Sequence, residues 1–186
     1  MNRKLIAGVA GMSLMVAGAG AAVVANGASN VPTTTVVKQK ATLSMKPNRY
    51  VKDGMRFNKD VYVVKSGGTL KMRLTQPQEG PHSLSVVKKK DLPTTADEAF
   101  NHCKPCNQLA EAHGADPNTE GPPQFQYLED GQGQNEPPNL DKPGDSGITG
   151  PNKGDTITFH VTAKPGTTLH FMCIIHAWMQ AKVQVK

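Results

Sequence analysis

The chain has 186 residues, which is enough for one domain with a buried core and an additional segment. Charged residues make up 19% of it, which excludes a highly charged disordered chain, while 18 glycines and 14 prolines predict many turns. The formal net charge of +6 is modest and spread along the chain, so nucleic-acid binding is not expected. Three cysteines are too few for a disulfide scaffold and leave one thiol that pairing within the chain does not explain.

The first 28 residues are typical of a secretory signal peptide. Arg3 and Lys4 precede an uncharged run of small and apolar residues over 5–25, and Ala25 and Gly27 offer small residues for cleavage. The run is about as long as a membrane span, so an uncleaved N-terminal anchor is the alternative, and only that alternative implies membrane contact. Both interpretations predict an exported chain in the periplasm, at the cell surface or outside the cell, where disulfides persist.

Short β-strands are predicted after a flexible, Thr-rich lead-in at 29–40, within one domain over 41–186. Apolar and polar residues alternate over 69–74 and 82–86, and again after 155, which is typical of strands with one buried face. The alternation places His82 on the strand face expected to point into the core. Several short strands separated by turns predict an antiparallel sandwich.

The segment 91–150 is interpreted as an insertion between strands, not as a second domain. Within 97–145 there are ten acidic and two basic residues, and few large apolar ones, so this segment cannot build a core of its own. Thr95 and Glu98 fit a capping box that begins a helical stretch, with a break or kink at Pro105 and an end at Gly114. Residues 117–150 are expected to form a long irregular loop.

Three residues of metal-binding type lie together near the C-terminus, where Cys173, His176 and Met179 form the pattern C-x2-H-x2-M. His82 lies far upstream, at the start of a predicted strand. A thiolate, two imidazoles and a thioether suit copper, because three strong ligands in a trigonal plane and a weak axial Met are typical of blue-copper electron-transfer sites. Taken singly, each residue also has a structural interpretation, as an inert buried Cys, a packing Met or a structural His.

These residues resemble those of the cupredoxins, the small blue-copper proteins, and in particular the plastocyanin and amicyanin group. The short C-x2-H-x2-M loop, with Trp178 just before the Met, is similar to that of amicyanin, and Pro81-His82-Ser83-Leu84 is similar to the family's P-H-N-V. The resemblance covers 41–90 and 154–186. It implies an all-β, antiparallel Greek-key β-sandwich that carries the long, partly helical insertion. It also implies one copper ion, cycling between Cu(I) and Cu(II), with the ligands His82, Cys173, His176 and axial Met179.

Two residues depart from the family pattern. Ser83 stands where the family has an Asn that helps to hold the ligand loop, and Ala181 stands where a Gly is common. Neither change removes a ligand. A backbone N–H near Ser83 and the N–H of Ile175 are expected to be hydrogen-bond donors to the sulfur of Cys173.

The resemblance further implies that His176 reaches the surface within an apolar electron-transfer patch formed by Ile174, Ile175 and Trp178. Exposed apolar patches mark docking surfaces. The alternative is that these side chains are partly buried and cover the site.

A second cysteine motif, Cys103-Lys104-Pro105-Cys106, has three interpretations. Export favours a local disulfide bond. A second metal site, for zinc or copper, would use His102, Cys103, Cys106 and His113. A working dithiol is the third interpretation, although no βαβ pattern surrounds the motif.

The sequence therefore predicts an exported, monomeric, mononuclear blue-copper protein that shuttles single electrons between a redox donor and a redox acceptor and is not an enzyme. The alternative is an extracytoplasmic protein that stores copper or delivers it to an exported cuproenzyme. A catalytic copper domain of an oxidase or reductase is disfavoured, because the sequence has neither a His-x-His pair nor a second cysteine in the ligand loop.

Overall fold

The computed structural model describes residues 31–75, 80–115 and 122–186. The predicted signal peptide at 1–28 lies outside the described residues. Within the described ranges, no helix is long and apolar enough to cross a membrane. The strands are β1 (Thr34–Lys40), β2 (Leu43–Lys46), β3 (Tyr50–Asp53), β4 (Arg56–Phe57), β5 (Val61–Val64), β6 (Thr69–Arg73), β7 (Ser83–Val87), β8 (Tyr127–Glu129), β9 (Gln132–Gln134), β10 (Asn139–Leu140), β11 (Ser146–Ile148), β12 (Thr156–Val161), β13 (Thr168–Met172) and β14 (Gln180–Val185). The α-helices are α1 (Ala96–Phe100) and α2 (Lys104–Ala112).

Two sheets pack face to face around the main core. One sheet has the strand order β10-β12-β6-β1-β4, and the other has the order β5-β14-β13-β7-β11-β8-β9. The core between them includes Leu70 and Phe159 from the first sheet and Leu84 and Phe171 from the second, all without solvent exposure. The predicted β-sandwich with a partly helical insertion is confirmed.

The sandwich is not antiparallel throughout. β1 runs parallel to β6, β5 to β14 and β10 to β12. Parallel neighbours need a long connection between them, and in each of these pairs at least one other strand intervenes along the chain.

The expected flexible lead-in at 29–40 requires a correction, because its second half is strand β1. Thr34 lies opposite Thr69, and Val37 opposite Met72, in the parallel pair with β6. Val37 is fully buried in the main core. The run of Thr and Val in β1 favours a strand through its β-branched side chains, a signal that outweighs the polar character of the segment.

The helical part of the insertion follows the sequence expectation. The Thr95 hydroxyl accepts a hydrogen bond from the Glu98 amide, and the Glu98 side chain accepts one in return from the Thr95 amide, which confirms the capping box. The helical stretch breaks between α1 and α2, and Pro105 lies in the first turn of α2, where its missing N–H costs nothing. Gly114 follows the end of α2 with a φ of +74°, a conformation that glycine adopts without strain.

Residues 117–150 are not the long irregular loop that the sequence suggested, because the described part of this segment contains four short strands. β11 pairs with β7 and β8, so that Ser146 lies between Ser85 and Leu128. β9 then continues the same sheet, whereas β10 joins the other sheet. Strands of two or three residues are too short to show alternation, which is why the pattern missed them.

The insertion covers the outer face of the seven-stranded sheet and forms a second core there. Its buried members come from the sheet, from α2, from β8 and from the C-terminal loop; they are Val87, Cys103, Cys106, Leu109, Leu128, Met172 and Ala177. All five residues of β7 are consequently buried, although the sequence predicted one buried face. The insertion thus obtains a core by sharing residues of the sheet, and it packs directly against the C-x2-H-x2-M loop through Ala177.

Candidate metal centre

Three of the four predicted ligand residues converge at one end of the sandwich. The Nδ1 atom of His82 lies 3.8 Å from the Sγ atom of Cys173, and the Nδ1 atom of His176 lies 3.7 Å from the same sulfur. One ligand atom from each residue lies within 4.8 Å of the other two. His82 and Cys173 are fully buried, whereas His176 is partly exposed.

Two neighbouring strands bring these ligands together. His82 directly precedes β7 and Cys173 directly follows β13, and these strands pair antiparallel with Met172 opposite Ser85. The backbone of His82 is held from the other side by Thr149. The His82 amide donates to the Thr149 hydroxyl oxygen at 3.0 Å, and the Thr149 amide donates to the His82 carbonyl at 2.8 Å. The backbone of His82 is therefore held by both the amide and the side-chain hydroxyl of Thr149.

Backbone hydrogen bonds close the loop between β13 and β14. The Cys173 amide donates to the Met179 carbonyl at 3.0 Å, and the Met179 amide donates to the His176 carbonyl at 2.8 Å. Met179 is fully buried and belongs to the main core together with Cys173. The spacing C-x2-H-x2-M thus corresponds to a single tight loop whose two ends are tied to each other.

The sulfur of Cys173 receives the hydrogen bond expected from the Ser83 backbone, whose amide donates to Sγ at 3.3 Å. The Ser83 hydroxyl oxygen in turn accepts a hydrogen bond from the Ile174 amide at 2.8 Å. Ser83 therefore joins the His82 segment to the ligand loop, although its side chain is shorter than the Asn of the family pattern. Burial raises the pKa of the Cys173 thiol, and hydrogen bonds from Ser83, His176 and Ile175 oppose this effect.

Both imidazoles are neutral near pH 7. Burial, and secondarily the charge of His176, lowers the pKa of His82 to about 4. Burial also lowers the pKa of His176, and the carboxylate of Asp53 acts in the opposite direction on both residues. A neutral imidazole has a free nitrogen lone pair, which is the form that binds a metal ion.

The donor set of this site fits copper. Two imidazole nitrogens and one cysteine sulfur face each other in a buried site whose sulfur is already hydrogen-bonded, and a Met closes the same loop. Soft thiolate and thioether sulfurs with imidazole nitrogens suit copper, whereas magnesium and calcium prefer oxygen ligands. Among the described residues, His82, Cys173 and His176 form the one cluster of His, Cys, Asp or Glu side chains whose ligand atoms are close enough together to hold a metal ion.

The proposed second metal site is not formed. Cys103 and Cys106 are joined by a disulfide bond, as the first interpretation of the motif predicted, so neither offers a thiolate. His102 lies at the surface with its Nε2 atom 3.5 Å from Asp97. His113 is buried elsewhere, with its two ring nitrogens bonded to Phe125 and Ser146. The structure therefore separates His102 and His113 instead of bringing them together.

The surface around His176 combines exposed and buried apolar residues. Ile175 is 43% exposed, whereas Ile174 packs against the second core and Trp178 packs against the main core. Part of the predicted patch therefore covers the site, and part of it faces the solvent.

Phe100 of α1 extends this surface, and the sequence analysis did not identify it. Its ring lies 4.9 Å from that of Trp178, which in turn contacts the ring of His176 at a centroid distance of 5.4 Å. Phe100 is 67% exposed. The only signal in the sequence is a large aromatic residue within a polar insertion, and nothing in that pattern specifies a contact 78 positions away.

Comparisons with known proteins add structural matches at low identity. The sequence matches no protein-family model, and comparison with curated proteins finds no match. Among solved structures, the chain is similar to a dithionite-reduced auracyanin from Roseiflexus castenholzii, with 18% identity and a TM-score of 0.41 over 84% of this chain and 98% of that one. It is also similar to auracyanin A, a blue copper protein of Chloroflexus aurantiacus, with 19% identity and a TM-score of 0.39 over 83% and 99% of the two chains. A third match is oxidised plastocyanin from Dryopteris crassirhizoma, with 14% identity and a TM-score of 0.36 over 82% and 100%.

Proposed function

We propose that this chain is a mononuclear blue-copper protein that carries single electrons between redox partners. The observation that carries the proposal is the convergence of His82, Cys173 and His176, with their ligand atoms within 4.8 Å of one another, in a buried site. A copper ion bound there would accept and release one electron by cycling between Cu(II) and Cu(I). Met179 would be the fourth residue to hold the ion, because it closes the same loop.

The protein's own residues would keep such a site rigid and dry. Thr149 fixes the backbone of His82, and Ser83 ties that segment to the ligand loop. Gln180 adds a second tie, since its side-chain amide donates to the carbonyls of Pro93 and Ala177. A site that is held in place needs little rearrangement when its charge changes, and this favours fast electron transfer.

His176 is the proposed exit for electrons, because it is the ligand that reaches the surface. Ile175 and Phe100 provide exposed apolar area beside it, and Trp178 links the rings of Phe100 and His176. A redox protein with an apolar docking face fits this surface. The leader and the disulfide bond support an exported protein, since disulfides persist in oxidising compartments.

The experiment that tests the proposal is a visible and EPR spectrum of the Cu(II)-loaded protein, compared with Cys173→Ala. We expect an intense thiolate-to-copper charge-transfer band and a small copper hyperfine splitting, both lost in the variant. His160→Ala, at an exposed histidine of β12, is the matched control and should leave the spectrum unchanged. A weak, ordinary copper spectrum that Cys173→Ala does not alter would contradict the proposal, and ready transfer of the copper to a chelator would favour storage or delivery.

The docking surface makes a separate prediction. Ile175→Lys should slow electron self-exchange between two copies of the protein by about tenfold, because it places like charges face to face and removes apolar contact area. The blue absorption band should persist, since the substitution leaves the side chains of His82, Cys173 and His176 in place. Val61→Lys, on edge strand β5, introduces the same charge at a residue of similar exposure, 38% against 43%, and serves as the control. Equal slowing by both variants would show that net charge, not the patch, governs the encounter.

A further inference from the structure

A hairpin formed by β2 and β3 stands apart from the two sheets of the sandwich. These strands form a two-stranded sheet of their own, with Met45 opposite Val51 and Lys46 opposite Tyr50. Every residue of 43–53 is exposed, and none belongs to the main core or the second core. A two-stranded ribbon gains little stability by itself in water, so the hairpin is not explained by the packing of the domain.

The hairpin nevertheless has a defined shape. Its turn is closed by the Arg49 amide, which donates to the Lys46 carbonyl at 3.0 Å. Asn48 adopts a φ of +58° in this turn, a conformation that Asn tolerates better than most residues. At the base of the hairpin, the Gly54 amide donates to the Thr42 carbonyl at 2.6 Å. The hairpin therefore presents its side chains in a fixed arrangement.

Large apolar side chains are concentrated on this hairpin. Among the described residues, four of the eight exposed ones lie here, each between 52% and 76% exposed: Leu43, Met45, Tyr50 and Val51. Residues that lie opposite each other in an antiparallel pair point to the same face. Leu43, Met45 and Val51 consequently share one face, and Tyr50 lies on the other face with two lysines. A cluster of exposed apolar side chains marks a contact site.

The hairpin and its base are also strongly basic. Residues 38–56 hold six basic residues and one acidic residue, a net charge of +5 within a chain whose total is +6. Three of the cations, Lys46, Arg49 and Lys52, lie in the hairpin itself. None of the ion pairs between described residues involves them. Their charge is therefore available to attract an anionic surface.

The hairpin emerges at the same end of the sandwich as the candidate metal centre. β13 ends beside Cys173, and the turn before β13 places the start of β12 at that same end. β12 pairs antiparallel with β6, with Thr156 opposite Arg73, so β6 also ends there. Because β1 runs parallel to β6, it ends at the metal centre as well, and the hairpin follows it directly.

The exposure of both faces of the hairpin distinguishes between two kinds of partner. A protein surface covers one face of a ribbon and leaves the other face in water. The headgroup region of a membrane surrounds both faces, so that Leu43, Met45 and Val51 can reach the boundary of the acyl chains while the cations remain among the phosphates. Tyr50 suits the same region, because its ring is apolar and its hydroxyl is polar. The hairpin thus fits an anionic membrane better than an acidic protein.

We propose that the β2–β3 hairpin docks the protein on an anionic phospholipid surface, with its apolar side chains in the interface and its cations on the phosphates. This contact needs neither the leader nor a bound metal ion. It would hold the His176 surface close to the bilayer, so that a redox partner would be met at the membrane. Only this last consequence rests on the proposed function.

Hydrogen exchange of the metal-free, full-length protein tests where the contact lies. On addition of vesicles made of equal parts of phosphatidylglycerol and phosphatidylcholine, the amides of residues 43–53 should exchange more slowly. Vesicles of phosphatidylcholine alone should protect them much less, because they do not attract cations. Exchange in 43–53 that the anionic vesicles leave unchanged would overturn the proposal, even if the leader binds the vesicles, and would favour an acidic protein as the partner.

A pair of charge variants measures the electrostatic contribution, with the affinity taken from the lipid concentration that half-protects residues 43–53. Lys46→Gln combined with Lys52→Gln should weaken binding to the anionic vesicles by about 25-fold, since each cation near such a surface contributes about fivefold. The matched control is Lys164→Gln combined with Lys186→Gln, which removes two exposed lysines at the opposite end of the sandwich. The control should change the affinity little, because these charges are screened at that distance. Equal weakening by both pairs would show that only net charge matters and would contradict the proposal.

The apolar contribution has its own variant. Met45→Ser combined with Val51→Ser removes two exposed side chains that lie opposite each other, so the sandwich should be unaffected. Binding should weaken by about tenfold or more, and the weakening should persist when salt screens the charges. An unchanged affinity would show that the hairpin does not enter the interface and would overturn the proposal. Absence of a blue spectrum in the copper-loaded protein would refute the carrier function and leave the vesicle result to decide the membrane contact.

Discussion

Replacing Phe171 by Ala is expected to lower the free energy of unfolding by about 3–5 kcal/mol. Phe171 is fully buried at the centre of the main core, two residues before Cys173 on β13. Its ring meets Phe57 edge-on at a centroid distance of 4.9 Å and lies 5.9 Å from Tyr62. Removing it leaves a cavity between two sheets that paired strands hold apart, so the surrounding residues cannot close over it.

Urea denaturation of the metal-free protein measures this loss directly. Phe100→Ala is the matched control, since it removes the same side chain from a position that is 67% exposed, and its cost should stay below about 1 kcal/mol. The two variants also separate stability from function, because Phe100 belongs to the proposed docking surface and Phe171 does not. Similar losses in both variants would mean that the insertion, not the sandwich, limits stability.

Acidification from pH 7 to pH 4 is expected to destabilise the metal-free protein by about 3 kcal/mol through His82 alone. The pKa of His82 is about 4 in the folded protein and 6.5 in the unfolded chain, a difference that is worth about 1.4 kcal/mol per unit. As the pH falls below 6.5, His82 becomes protonated in the unfolded chain but stays neutral in the folded protein. The free energy of unfolding therefore decreases. Above pH 6.5 both states are neutral and this contribution is constant.

The measurement is a series of urea midpoints across this pH range, with His82→Gln as the comparison. The variant should lose less stability on acidification, because it removes the imidazole whose pKa burial lowers from 6.5 to about 4. Residual pH dependence is expected from His113 and His176, whose pKa values burial also lowers. An identical pH profile for the variant and the unchanged protein would show that His82 is not buried as a neutral ring.

The candidate metal site could be predicted because its signal is local and chemical. Cys173, His176 and Met179 lie within one loop whose residue types and spacing indicate copper, and the resemblance of the segment around Pro81 to the family motif added the distant His82. The structure shows the predicted cluster of His82, Cys173 and His176 and the Ser83 amide at the sulfur. Strand patterns over 69–74 and after 155 likewise predicted a sandwich, since alternation is a property of neighbouring residues.

The features that the sequence did not reveal depend on contacts between distant segments. The sequence around Phe100 does not show that Trp178 packs beside it in the folded protein. Likewise, the sequence around Ser146 does not show that β11 pairs with β7. The short strands between 127 and 148 form because strand edges are available to pair with, β7 for β11 and β12 for β10, not because their own composition favours strands. His113 was considered as a metal ligand, and only the fold shows that its two ring nitrogens contact Phe125 and Ser146 instead.

The position of the disulfide bond has a consequence for the maturation of the chain. Three cysteines permit three alternative single bridges, and two of these would consume the thiol of Cys173. Cys103 and Cys106 are three positions apart and meet in the first turn of α2, whereas a bridge to Cys173 would have to close a loop of about 70 residues at a greater entropic cost. Short loops also close earlier than long ones during folding. Oxidation of the chain thus protects Cys173 from mispairing, and its complete burial then keeps it reduced and ready to accept a metal ion.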